Sequence, residues 1–170
     1  MVTGESVEKA CSEVGQYTDE DMVAEFDRFF RAQPAVCEFI IELTQESGQK
    51  IQELSLFLSY IAFKALEIEQ TGAVAPVAPE QIEEAYRDTE SWLARINEAG
   101  NAELQAAINA SVDEETQPYL LQYVISELNE PMEDGDDLSD EEKGEVFYIL
   151  KTVIGSLDSG SKRRIIEIHQ

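Results

Sequence analysis

The side chains in this chain that come nearest to a chemical site are the acids between Glu130 and Glu141. The run Glu130-Pro-Met132-Glu-Asp134-Gly135-Asp136-Asp137-Leu-Ser-Asp140-Glu141 lies between two helical patterns. A calcium loop needs oxygen ligands at its first, third and fifth positions, glycine at the sixth and a bidentate glutamate at the twelfth. Starting from Glu130, residues Asp134, Gly135 and Glu141 fall into register. Met132, however, takes a ligand position without an oxygen, Pro131 stands inside the turn, and Asp137 replaces the apolar eighth residue. Asp134, Asp136 and Glu141 are thus the candidates for a divalent-cation site. The plainer reading is a solvated loop whose acids favour the N-terminus of the next helix.

Other chemistry is narrowed by scarcity. His169 is the only histidine and stands next to the last residue, beyond the last strong apolar stripe. Nucleophile-histidine pairs, paired Glu-x-x-His iron sites and His-x-x-x-His zinc sites all need an imidazole held by a helix or sheet. Cys37 falls on an apolar helical stripe, which makes it a buried structural thiol. Cys11 has no activating neighbour in sequence. No glycine-rich phosphate loop is present. We therefore nominate no catalytic residue and expect no cofactor. Lys162-Arg163-Arg164 is a small basic patch expected to dock on the protein's own acidic surface. The aromatic residues fall at helical spacings, as core residues do. Tyr119, Tyr123, Phe147 and Tyr148 lie beside the main stripes, where a partner or a second copy can pack.

Charge sets the kind of partner. Thirty-six acids against twelve Lys and Arg give a formal charge of −24. Such a field repels nucleic-acid phosphates and anionic membranes and attracts basic proteins or cations. It equally suits a high-salt habitat. Two cysteines without C-x-x-C spacing fit a reducing cytoplasm, the expected location. No secretory signal is read at the N-terminus. The most apolar stretch, Leu54 to Leu66, is too short and too polar to span a bilayer.

The elements that must hold these residues are helices throughout. Residues 1–17 carry weak signals and are expected to be weakly ordered. Thr18 and Asp21 make an N-cap pair before Met22, Phe26, Phe29 and Phe30. Pro34 starts a second helix with Cys37, Ile40 and Ile41 on one face. A third helix over 49–70 is apolar on most sides and so central. The linker 71–79 ends at Pro79, which opens a helix over 80–99 with Ile82, Tyr86, Leu93 and Ile96 inward, Trp92 beside them and Gly100 as C-cap. Short helices are expected near 102–112 and 117–130. Ser139-Asp140-Glu141-Glu142 caps the last helix, whose stripe ends at Leu157 before Gly160 and a tail over 159–170.

Gln33-Pro34-Ala-Val-Cys-Glu-Phe-Ile-Ile aligns without a gap on Gln117-Pro118-Tyr-Leu-Leu-Gln-Tyr-Val-Ile. Further on, Phe63-Lys-Ala-Leu66-Glu67 falls on Ile154-Gly-Ser-Leu157-Asp158. We read this as a duplicated three-helix unit, about 18–71 and 101–158, joined by the helix 80–99 in one domain. The expectation is an all-α, compact bundle of six or seven helices. For function, the leading expectation is a non-catalytic interaction or adaptor protein with a basic protein partner, as a monomer or homodimer. The alternatives are a small-ligand or cation binder using the 130–142 loop, and an enzyme working through carboxylates.

Overall fold

The structure, a computed structural model, describes residues 1–98, 117–132 and 135–168, with backbone alone for 97–98 and 160–168. Among these residues it is all-helical: α1 (Gly4–Gly15), α2 (Asp19–Ala32), α3 (Pro34–Leu43), α4 (Gln49–Gln70), α5 (Pro79–Glu98), α6 (Pro118–Asn129) and α7 (Asp140–Ile168). The helix expected near 102–112 and the cap at Gly100 lie outside the described residues.

Local chemistry sets most boundaries. Thr18 and Asp21 form a reciprocal capping box at the start of α2, and Ser139 and Glu142 do the same at α7. Pro34 and Pro118 occupy the first helical positions of α3 and α6, where a missing N–H costs nothing. Gly48 takes φ 91° just before α4, a conformation that favours glycine.

Two ends differ from the sequence expectation. Residues 1–17 hold α1, with Val2, Val7, Ala10 and Val14 buried in the core. The stripe was hard to read because its innermost residue, Ala10, is small and is 0% exposed. At the other end α7 runs on through Gly160 to Ile168 instead of stopping before it. One glycine costs only about 1 kcal/mol in a helix, which does not stop a long one.

α4 and α7 pack against each other at the centre. α1 lies along α4 and α5 along α7; α3 touches α4 and α5, while α6 touches α7 and α1. α4 buries side chains on most sides, from Ile51 to Leu66, as its unstriped sequence implied. Over it α2 builds an aromatic lid: Phe29 meets Tyr60 at 5.9 Å and Phe63 at 5.2 Å.

The halves are tied by two buried glutamines in the same backbone conformation, Gln33 at φ −132°, ψ 61° and Gln117 at φ −129°, ψ 63°. Gln33 accepts from the Val77 N–H at 3.0 Å and donates to the Ala75 carbonyl at 2.9 Å, fixing the linker before α5. Gln117 accepts from the Val2 N–H at 2.9 Å and donates to the Asp158 carboxylate at 2.7 Å, fixing the chain before α1. Each glutamine thus clamps the entry of the helix that packs on the other half.

The likeness extends one helix beyond the units 18–71 and 101–158. Val2-Thr-Gly-Glu5-Ser-Val7-Glu8-Lys-Ala10 aligns without a gap on Val77-Ala-Pro-Glu80-Gln-Ile82-Glu83-Glu-Ala85, and contacts follow the alignment. Tyr17 meets Tyr60, hydroxyl to hydroxyl at 3.1 Å, where the other half has Trp92 under Lys151 at 5.1 Å. The Cys11 thiol beside Tyr123 corresponds to Tyr86 packed edge-on against Phe39 at 6.0 Å.

Candidate interaction groove

A groove of about 440 Å³ opens between the C-terminal end of α3, α5 and the first turns of α7. Its wall is almost wholly apolar, with Leu43, Tyr86, Trp92, Leu93, Phe147 and Tyr148 as the main contributors. α5 supplies Tyr86, Leu93 and Ile96 at helical spacing, because their stripe is wider than its contact with α7. α7 supplies Gly144, Glu145 and Tyr148 on one face. Tyr86 and Tyr148 meet edge-on at 5.5 Å, and Trp92 stacks on Phe147 at 5.6 Å. These contacts fix the rings and leave Leu43, 37% exposed, at the mouth.

Polar groups are few. Glu145 lines the groove and bonds to the Ser47 hydroxyl. Trp92 is 6% exposed, and its indole Nε1 has no acceptor within the described structure. A buried N–H without a partner costs about 1–3 kcal/mol, which the packing of the ring must offset. Burial first, then the adjacent Tyr86 side chain and the Glu90 carboxylate, hold the Tyr148 hydroxyl protonated well above the usual phenol range. Tyr148 therefore stays neutral, with its hydroxyl turned to Tyr86.

Of the four aromatics singled out by spacing, Phe147 and Tyr148 are in this groove. Tyr119 is exposed near Gly4, and Tyr123 lies beside Cys11, so both belong to the α1–α6 contact. Trp92, Tyr86 and Leu93 were read as core. Their own stripe gave no sign of an opening, which depends on what stands opposite. The signal available was the shortness of the α3–α4 connection, Thr44 to Gly48.

The acidic loop is placed differently. Asp134 lies outside the described residues. Asp136 pairs with Lys50, Oδ2 to Nζ at 3.1 Å, and its carbonyl accepts from the same ammonium at 2.8 Å. Glu141 is exposed in the first turn of α7. Among the described residues no group of three or more His, Cys, Asp or Glu is disposed to hold a metal ion.

Carboxylates do converge at Arg28, whose guanidinium bonds Glu67 at 2.7 and 2.9 Å and Glu25 at 3.0 and 3.1 Å. Tyr60 donates to Glu25 at 2.6 Å, so Tyr17 donates to Tyr60. The Arg28 bond holds the Glu25 carboxyl below the usual range despite partial burial. Glu25 is thus held ionised rather than as a proton donor, and the cluster braces α2 on α4. Cys37 is buried and its thiol is pushed up to about 12 by burial alone, the opposite of an activated nucleophile. Burial likewise raises Cys11. His169 lies outside the described residues, as do the side chains of Lys162, Arg163 and Arg164.

A smaller polar hollow of about 220 Å³ lies between α5 and α7. Gln117 and Asp158 on its wall bond each other, and Lys151 covers Trp92. Gln81 on the same wall donates nothing from its buried Nε2 among the described residues, but the hollow is half the volume of the apolar groove, which is the better candidate. No helix among the described residues is long and apolar enough to cross a membrane. In comparisons with known proteins, no family model, curated protein or solved structure matches this chain.

Proposed function

We propose that this chain is a non-catalytic interaction module that receives a protein partner in the aromatic groove between α5 and α7. The observation that carries the reading is the groove itself: preset aromatic walls, an open mouth and an indole N–H without an acceptor. Interfaces concentrate aromatic residues in this way, and rings already locked by neighbours lose little entropy on binding. The −24 charge adds long-range attraction for a basic partner and speeds its encounter. We place the protein in the cytoplasm, where Cys11 and Cys37 stay thiols. We further propose that the fold arose from two copies of a four-helix unit, one opening with α1 and the other with α5.

The test uses the neutral apolar dye Nile red. One dye per chain is expected to bind, and Leu93→Asp or Tyr148→Asp should each weaken it at least tenfold while helicity is kept. Both positions are partly exposed, so neither change buries a charge. Dye binding that ignores both substitutions removes the groove as the site.

A further inference from the structure

The polar hollow between α5 and α7 lies where the first half is filled by its own charged side chains. Two registers fix the comparison. Val2 and Val77, the residues clamped by Gln117 and Gln33, set α1 on α5, so Ser6 corresponds to Gln81 and Glu13 to Asp88. α4 begins at Gln49 and α7 at Asp140, which puts Phe57 on Tyr148, Tyr60 on Lys151 and Glu67 on Asp158. Burial agrees with that register: Leu58, Ile61, Phe63 and Leu66 fall on Ile149, Thr152, Ile154 and Leu157, all buried.

Between α1 and α4, two charged side chains of α4 reach across. Lys64, with its side chain 12% exposed, sets its ammonium on Glu13 at 3.1 Å and over the Tyr17 ring at 5.5 Å. Glu69 accepts from the Ser6 hydroxyl at 2.5 Å and from the Thr3 N–H at 3.1 Å. On α7 both positions are glycine, Gly155 and Gly160. The groups that receive such charges are still present on α5. Asp88 lines the hollow and makes no ion pair among the described residues. Gln81, 6% exposed on the same wall, accepts from the Ala78 N–H through Oε1 and has no acceptor for Nε2. A Cβ on Gly155 would meet only the Ala85 Cβ, at 3.7 Å, so a methylene chain fits there. Lys151, one turn earlier on α7, covers Trp92 as Lys64 covers Tyr17, and forms one wall of the hollow without filling it.

We propose that this hollow binds a small ω-amino acid, its ammonium on Asp88 and its carboxylate at Gln81. Such a molecule brings in one piece the two charges that Lys64 and Glu69 supply to the first half. Asp88 and Gln81 are seven residues apart, about 10 Å along α5. Two hydrogen bonds of about 2.8 Å leave room between them for a chain of about five carbons. Glu84 stands between the two on the same wall, where the first half has Lys9, and adds a second carboxylate for the ammonium. The volume of about 220 Å³ is below the roughly 300–1,000 Å³ of sites for drug-sized ligands and suits a small solute.

The test is an amide NMR titration of the isotope-labelled full chain with 5-aminopentanoate at constant ionic strength. Pentylamine and pentanoate serve as one-ended analogues. Saturable shifts of the Asp88 and Gly155 amides are expected with 5-aminopentanoate, about fivefold tighter than with either analogue, as the loss of one exposed ion pair implies. Asp88→Asn should weaken binding by a similar factor. Gly155→Lys, which fills the hollow as Lys64 fills its counterpart, should abolish it with far-UV circular dichroism unchanged. Gln81→Glu keeps an acceptor for the Ala78 N–H and should weaken 5-aminopentanoate while sparing pentylamine. Pentylamine binding as tightly as 5-aminopentanoate overturns the proposal, because attraction to a chain of charge −24 then suffices. A response that Asp88→Asn and Gly155→Lys both leave unchanged overturns it too, as does silence at millimolar ligand. The aromatic groove shares no lining residue with the hollow, so either result leaves the interaction reading to its own test.

Discussion

Two faces of this bundle, one on α4 and one on α7, are finished differently by the connections beside them. On α4, Lys50, Leu54 and Phe57 line an open hollow edged by Met132 and Asp136 of the acidic connection; on α7, Glu145 and Tyr148 line the aromatic groove, with Glu145 bonded to Ser47 of the Thr44–Gly48 turn. Helix composition does not explain the difference, since both faces carry an aromatic residue at the same register. The connection does. Residues 130–139 set Asp136 on Lys50 of α4, and the shorter Thr44–Gly48 turn reaches α7 through Ser47 on Glu145. Loop closure of this length costs little extra entropy, so buried Leu138, half-buried Met132 and one ion pair suffice to hold it.

The largest test of this comparison goes through the paired glutamines. Gln33→Ala strands the Val77 N–H and the Ala75 carbonyl, and Gln117→Ala strands the Val2 N–H. Each should lower stability by about 2–4 kcal/mol in urea unfolding, with the two effects additive. If only one matters, the halves are not equivalent in their packing.

Shortening the 131–138 connection to a five-residue turn takes Leu138 out of the core and Asp136 off Lys50, and should cost about 1–3 kcal/mol in urea unfolding. Unchanged stability would mean that the connection does not brace the bundle.

Tyr60→Phe should cost about 1–1.5 kcal/mol, because Glu25 and Tyr17 each lose their bond to the phenol hydroxyl. Lys151, aligned with Tyr60 in the other half, sits over Trp92; Lys151→Met should cost less than ~1 kcal/mol.

The acid limb of stability should report the Arg28 cluster. Glu25 has a folded pKa below its unfolded value, so its contribution is present above about pH 4.3 and is lost as pH falls through the folded value. Glu25→Gln should flatten the loss of Tm below pH 4.5, an effect under ~1 kcal/mol for a partly exposed pair.

The smallest expected effect is that of calcium. With Asp136 held by Lys50, millimolar Ca²⁺ at matched ionic strength should leave Tm within about a degree. A rise of several degrees reversed by EDTA would restore Asp136 and Glu141 as ligands and reopen the cation reading.

The site was only partly legible beforehand. Phe147 and Tyr148 stood out because they fall beside the α7 stripe, yet nothing in their spacing separates a groove wall from a buried face. Trp92 and Leu93 looked like core because they are apolar and in phase with Ile82 and Ile96. Helix α1 was underrated since Ala10 carries little hydrophobic signal, and with it went the alignment of Val2–Ala10 on Val77–Ala85. Periodicity reports how apolar a face is, not how close another helix comes to it.

What the sequence by itself determined is the all-helical class, most of the helix starts through Thr18, Pro34, Pro79, Pro118 and Ser139, the central role of α4 and the net acidity. These are local or summed properties, set by capping, ring constraints and charge count. Which aromatic side chains became core and which line a groove was decided only in the tertiary structure. That outcome depends on which segments distant in sequence come to lie against a helix, and that is a property of the assembled chain.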